Sequence, residues 1–324
     1  MRRLLPLALA AAVLAACANG DVAPPANGSA ARTVRAKAAG APVVGGCQIF
    51  PDDNWWNTDI SQYPLDRHSD AYIAALPGNL HPDFGENPHY GIPFNLVPQD
   101  QKKVPVSFGY ASQSDPGPYP IPPNAQIEGG RHAGGDRHVL VLQQGVCKLY
   151  EMWDAYPLDG GKKWKAGSGA LFNLNSNKLR PNGWTSADAA GLPILPALVK
   201  CDEVKAGEID HALRVTFSKT QQGYIHPATH YASDSRDPTL PPMGLRIRMK
   251  ASYDISGLTG QSLIIATAMK TYGMFVADNG SNWYFQGEGG KQSSCWNDTD
   301  LDQLKGIPSS AFEVVKTGKI LRKS

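Results

Sequence analysis

The run Cys147-Lys148-Leu149-Tyr150-Glu151-Met152-Trp153 sets one carboxylate in β-type sequence between bulky apolar neighbours. Side chains alternate faces along a strand, so Leu149, Glu151 and Trp153 project together. A carboxylate held between Leu and Trp loses water, which disfavours its charged form and raises its pKa. That is the condition of a general acid in glycoside cleavage, and Glu151 is the expected acid. The same chemistry uses a second carboxylate across the sugar. Asp188 is the first candidate, in Arg180-Pro181-Asn182-Gly183-Trp184-Thr185-Ser186-Ala187-Asp188, with Asp154, Asp202 and Glu203 as rivals. Trp153 and Trp184 supply flat faces for stacking on a sugar ring. The plain structural alternatives are a Glu151 bound to Arg or Lys, and an Asp188 that only caps a short helix from Ala189.

His211, His226 and His230 fall within twenty residues, interleaved with Tyr224 and Tyr231. His226 and His230 have the spacing of a helical metal pair, but Pro227 stands between them. In extended chain they lie roughly 13 Å apart, too far to share one ion. His132 and His138 would be further ligands, yet the pattern predicts no metal site and no cofactor. A second chemistry suits these residues better. His226 or His230 with Tyr224 would move protons in β-elimination from a uronate polymer, with Arg214 neutralising the substrate carboxylate and His211 beside it. There is no G-x-S-x-G elbow and no P-loop ending. Gly129-Gly130-Arg131-His132-Ala133-Gly134-Gly135 reads as a loop bordering a cleft.

The elements that must position these residues are mostly short strands. His138 to Leu142 and Cys147 to Trp153 form the clearest hairpin. Further strand patterns cover Ala170 to Leu174, His211 to Phe217, Gly223 to His226, Leu245 to Ala251, Met274 to Ala277, Trp283 to Gln286 and Phe312 to Lys316. One helix is clear, from Thr259 to Tyr272, closed by Gly273 at the position after its C-cap. Ser69 to Leu76 reads as a short helix stopped by Pro77-Gly78. The expectation is a mainly β, single domain of β-sandwich or jelly-roll-like form with long irregular loops.

Arg2 and Arg3, the apolar stretch from Leu4 to Leu14 and the ending Leu14-Ala15-Ala16-Cys17 describe a lipoprotein signal in residues 1–16. Cys17 is then the lipidated first residue, and 17–45 a Gly-, Ala- and Pro-rich tether. Ala18 favours the outer membrane where a host has two. The functional domain is 46–324. The formal net charge is +2 with no basic block, which argues against a nucleic-acid partner. Cys47, Cys147, Cys201 and Cys295 remain for two disulfides in an oxidising compartment, with three pairings open.

Several stretches carry a resemblance. They are Phe50-Pro51-Asp52-Asp53-Asn54-Trp55-Trp56-Asn57, Gly183 to Pro193, Pro241-Pro242-Met243-Gly244-Leu245-Arg246, Lys250-Ala251-Ser252-Tyr253-Asp254, Tyr272-Gly273-Met274 and Asp278-Asn279-Gly280-Ser281. Together they resemble a family of secreted bacterial proteins over nearly the whole mature domain. The resemblance implies one continuous domain from about Cys47 and an extracytoplasmic setting, and brings no activity with it. Export, a β-rich frame and acids beside aromatics point to a polysaccharide partner and a membrane contact through Cys17. Hydrolysis by paired carboxylates is the first expectation, then uronate lysis, then a glycan-binding or envelope-structural role without catalysis.

Overall fold

Val139-Leu140-Val141-Leu142 is apolar at every position, the pattern of a strand covered on both faces. The computed structural model, which describes residues 40–322, places it so. The signal sequence, Cys17 and most of the tether lie outside the described residues. Strand Val139–Gln143 belongs to a central sheet in the order Ser168–Asn173, Lys148–Trp153, Val139–Gln143, Phe94–Val97. The first three strands are antiparallel and the last pair is parallel. Val139, Val141, Tyr150 and Met152 pack on one face with Tyr119, Ile121 and Trp164. Trp164 lies in a small three-stranded sheet of Val106–Phe108, Lys163–Ala166 and Tyr156–Leu158.

Leu140, Leu142 and Leu149 point the other way, into the main core. That core is shared with a six-stranded mixed sheet, ordered Phe312–Val314, Arg246–Met249, Met274–Asn279, Leu213–Phe217, Tyr284–Phe285, His81–Pro82. Helix Gly260–Thr271 adds Ile265, Ala266 and Met269 to it. Gly273 follows with φ +65°, and a Cβ there would sit 2.3 Å from the Ile247 carbonyl oxygen, so only glycine closes this helix. Strand makes up 25% of the described residues against 18% helix, so the fold is the expected mainly β, sandwich-like domain. The described residues belong to one compact unit.

The hairpin forms where expected. The 223–226 strand does not: Tyr224 makes only isolated bridges, to Met243 and Leu321. The short helix spans Ser69–Ala74, with His68 as its N-cap. The disulfides pair Cys47 with Cys147 and Cys201 with Cys295. Both belong to an oxidising, extracytoplasmic environment. Among the described residues no helix is long and apolar enough to cross a membrane.

Candidate functional site

Strands Leu213–Phe217 and Met274–Asn279 run parallel, pairing Arg214 with Phe275 and Val215 with Val276. The register then slips by one, so Thr216 pairs with Asp278 and Ala277 is the extra residue. Because side chains alternate with a period of two, the slip moves Asp278 onto the face shared by Arg214 and Thr216. The loop beside it fixes the bulge: Ala190 N–H donates to the Ala277 carbonyl (2.9 Å), and Ala189 N–H to Asp278 Oδ2 (3.2 Å).

That loop also delivers Asp188. Ser186 Oγ accepts from Asp188 N–H (2.9 Å) and donates to the Leu192 carbonyl (2.5 Å), closing a tight turn where a helix from Ala189 was the alternative. Asp188 is wholly buried and takes Arg214 in a two-point pair, Nε to Oδ2 at 3.0 Å and Nη2 to Oδ1 at 2.6 Å. Gln286 Oε1 accepts from Arg214 Nη1. The charge of the guanidinium expected to meet a uronate is therefore already matched by an internal carboxylate.

A second internal pair lies beside it. His138 Nδ1 is 2.7 Å from Glu128 Oε2, and its Nε2 is 3.1 Å from the Ala187 carbonyl. Two acceptors around one ring require both nitrogens to carry protons, so His138 is an imidazolium. Burial works to lower His138, but the Glu128 carboxylate outweighs it and raises the group to about 9. Burial likewise pushes Glu128 up, and His138 overcomes that and holds it below the usual range.

Asp278 differs from these. Burial, with the Asp188 charge next to it, pushes its carboxyl up to about 8 against the pull of Arg214. It carries a proton at neutral pH, and it faces open space. With Asp136 and Asn279 it lines two adjoining cavities. The first, of about 330 Å³, also has Tyr110, Trp153, Ser168, Thr185 and His230 in its wall. The second, of about 240 Å³, has Asp83, Glu128, His138, Arg214 and Tyr284. Trp153 leaves the central sheet at the end of its strand and donates Nε1–H to Asp136 Oδ1 (3.0 Å). Its ring lies against Gly167, where a Cβ would come within 2.3 Å, and 6.3 Å from the Tyr110 ring. Together they give the cavity an aromatic wall in the same lining as the carboxyl groups of Asp136 and Asp278. His230 Nδ1 donates to the Ala189 carbonyl (2.8 Å), leaving the lone pair on Nε2, and burial holds its pKa below the usual value.

Of the residues singled out in the sequence, Trp153 and His230 reach this cavity, and Asp188 and Arg214 form the ion pair behind it. Glu151 does not. The central sheet is a middle layer, so the Glu151 face is core: the side chain is fully buried and accepts backbone N–H groups from Ile194 (3.0 and 2.9 Å) and Leu195 (2.9 Å). Burial still raises it, to about 7, but it holds the start of the Leu195–Ala197 turn and touches no cleft. His211 is buried against Lys200 Nζ and Glu203 Oε1, both at 2.9 Å, with Nδ1 on the Ala212 carbonyl (2.8 Å). Burial opposes ionisation of Glu203, but His211 and Lys200 prevail and take it to about 2. Glu203 is thus an internal counter-ion. Asp202 is exposed on a helix, and the Asp154 N–H is turned onto the Asp136 carbonyl (2.8 Å). Tyr224 is fully buried, and His226 opens onto a different surface, bonded to Asn182 Oδ1 (2.8 Å). The Tyr224–His226 pairing expected for a lyase therefore has no access to the His230 cavity. Trp184 lies under the Arg180 guanidinium, 5.6 Å from its ring. Among the described residues no group of three His, Cys, Asp or Glu is arranged to hold a metal ion.

The chain matches no family model, no curated protein and no solved structure. The site is therefore read on its own geometry. Sequence reasoning missed Asp278, Asp136, Glu128 and Tyr110. Asp278-Asn279-Gly280 reads as turn chemistry, and nothing local marks the bulge that turns its first residue inward. The Gly-rich 129–135 stretch was the available signal, since Glu128 and Asp136 flank it.

Proposed function

We propose that this protein is an envelope-anchored glycosidase that hydrolyses a neutral polysaccharide in the Trp153–Asp278 cleft. The observation that carries the reading is Asp278: a carboxyl that keeps its proton near neutrality, lining the same cavity as two aromatic rings. A raised carboxyl is the general acid such a reaction needs, and the rings suit the apolar faces of a pyranose. Asp278 would give its proton to the glycosidic oxygen as the bond to the anomeric carbon breaks. Asp136, which has one oxygen on the Trp153 N–H, would take a proton from the attacking water. The reading of an anchor rests on the expected lipobox ending at Cys17, and the extracytoplasmic setting on a domain with two disulfides.

His230 favours a second reading, β-elimination, because its unprotonated Nε2 belongs to a ring in the same wall. The charges argue against it. No Lys or Arg lines the 330 Å³ cavity among the described residues, and Arg214 next door is bound by Asp188 and Gln286. A uronate carboxylate would enter beside Asp136 with no cation to receive it. The test is a panel of neutral and uronate polysaccharides, reading new reducing ends and the ultraviolet absorbance of unsaturated products together. Reducing ends without unsaturation, lost in Asp278→Asn, is the expected result. Unsaturated product, or unchanged turnover in Asp278→Asn, would overturn the assignment.

A further inference from the structure

Trp55 and His226 take no part in the cleft described above, yet both border a separate cavity of about 130 Å³. At its wall is Arg246, only 2% exposed. Its Nε and Nη2 donate to the Tyr272 carbonyl (2.8 and 2.5 Å), Nη1 to the Trp55 carbonyl (2.6 Å) and Nη2 also to Thr58 (3.3 Å). A guanidinium has five N–H groups, so one on Nη1 is left over. The cation lies 4.1 Å from the Phe275 ring centroid. Several other strongly buried ionic groups have an opposite charge beside them: Asp188 has Arg214, Glu128 has His138, Glu203 has Lys200. Arg246 has none among the described residues, and burial alone accounts for the fall of its pKa to about 9, with only Tyr63 opposing. Carbonyl dipoles and a ring face offset part of the desolvation of a buried cation but leave its charge unmatched. Arg137 is also held by carbonyls, under Tyr156, but it lines neither this cavity nor the two of the cleft.

We propose that this cavity is a second binding site, selective for a sugar oxyanion, the carboxylate of a uronic acid or a sulfate ester. The anion would take the remaining Arg246 N–H and supply the missing charge. Trp55 and Tyr63, 38% and 37% exposed at the mouth, would hold the sugar ring that carries it. The site contrasts with the 330 Å³ cavity of the cleft, which carboxyl groups line and, among the described residues, no Lys or Arg does. A tethered enzyme with this pair of sites would grip an acidic residue of a mixed polymer while cutting at a neutral one.

The test is calorimetric titration of the wild-type protein with sodium sulfate, glucuronate, glucose 6-sulfate and glucose, at constant ionic strength set with chloride. Saturable binding of sulfate and of at least one charged sugar, with none of glucose at this site, is expected. The tighter of glucuronate and glucose 6-sulfate names the source of the oxyanion. Trp55→Ala, which keeps the carbonyl that Arg246 uses, should weaken the charged sugar about three- to tenfold. Arg246→Gln should abolish binding; where that variant does not fold, Trp55→Ala and Tyr63→Ala give the decision. Trp153→Ala should change nothing here. No saturable anion binding to wild type, indifference to both rim variants, or loss in Trp153→Ala would overturn the proposal, and none of these outcomes bears on hydrolysis in the cleft.

Discussion

Replacing Asp278 by Asn should make the protein more stable as pH rises while abolishing its chemistry. The Asp278 carboxyl titrates at about 8 in the folded protein and at 3.8 unfolded. A folded value above the unfolded one contributes stability that is present below 3.8 and is lost as pH climbs through 8. The interval is about four pH units, each worth about 1.4 kcal/mol, which bounds the effect near 6 kcal/mol. One side of the carboxyl opens on the water of the cavity, so roughly half of this is the working figure. Asn is the same shape: its amide donates to Asp188 and its carbonyl accepts the Ala189 N–H, and it never ionises. Urea unfolding of both proteins should give a stability gap in the variant's favour that widens by about 2–4 kcal/mol between about pH 5 and about pH 9. A gain in stability with a loss of function is the behaviour of a residue kept strained for a task. A gap that stays constant across that range would mean an Asp278 ionised like any surface carboxylate, and the general-acid argument would lose its foundation.

Glu151→Gln turns an amide N–H₂ towards the Ile194 or Leu195 N–H donors, and should cost about 1–2 kcal/mol in the denaturation midpoint while sparing the turnover of the folded protein. Replacing Cys201 and Cys295 together by Ser releases partners 94 residues apart and should lower stability by about 2–5 kcal/mol, read as a fall in the thermal midpoint that dithiothreitol no longer deepens at this bond.

What the chain showed in advance follows from range. The hairpin, the helix closed by Gly273 and the β-rich frame rest on neighbours within a few residues, and those patterns survive folding. The Glu151 expectation failed on a layer. Leu149, Glu151 and Trp153 do share a face, but whether that face meets water depends on what covers the sheet. The unbroken Val139-Leu140-Val141-Leu142 run, next in the hairpin, already implied cover on both sides. The Asp188 and Arg214 roles needed a contact across 26 residues, and each alone reads as a surface group. Asp278 is harder still, because one extra residue at Ala277 decides which face it takes, and a register slip leaves no mark on alternation.

The same bulge explains how one carboxyl can be poised where four neighbouring ionic groups are not. Asp188 and Arg214 cancel within one hydrogen-bonded pair, as Glu128 and His138 do, so the wall behind the cleft carries little net charge despite its content. Without the slip, Asp278 would point to the opposite face, away from Arg214 and Thr216. With it, Asp278 sits beside a guanidinium already bonded to Asp188 and Gln286, and next to the Asp188 carboxylate. Ionising Asp278 would then set two negative charges against one shared cation in a place water reaches from only one side. Keeping the proton is the cheaper state, and a proton kept at neutral pH on a cavity wall is available to a bound ligand. The acid is thus a product of a charge balance that Asp188 and Arg214 already close, which is why conservative changes at Asp188 or Arg214 bear on its proton as directly as changes at Asp278 itself.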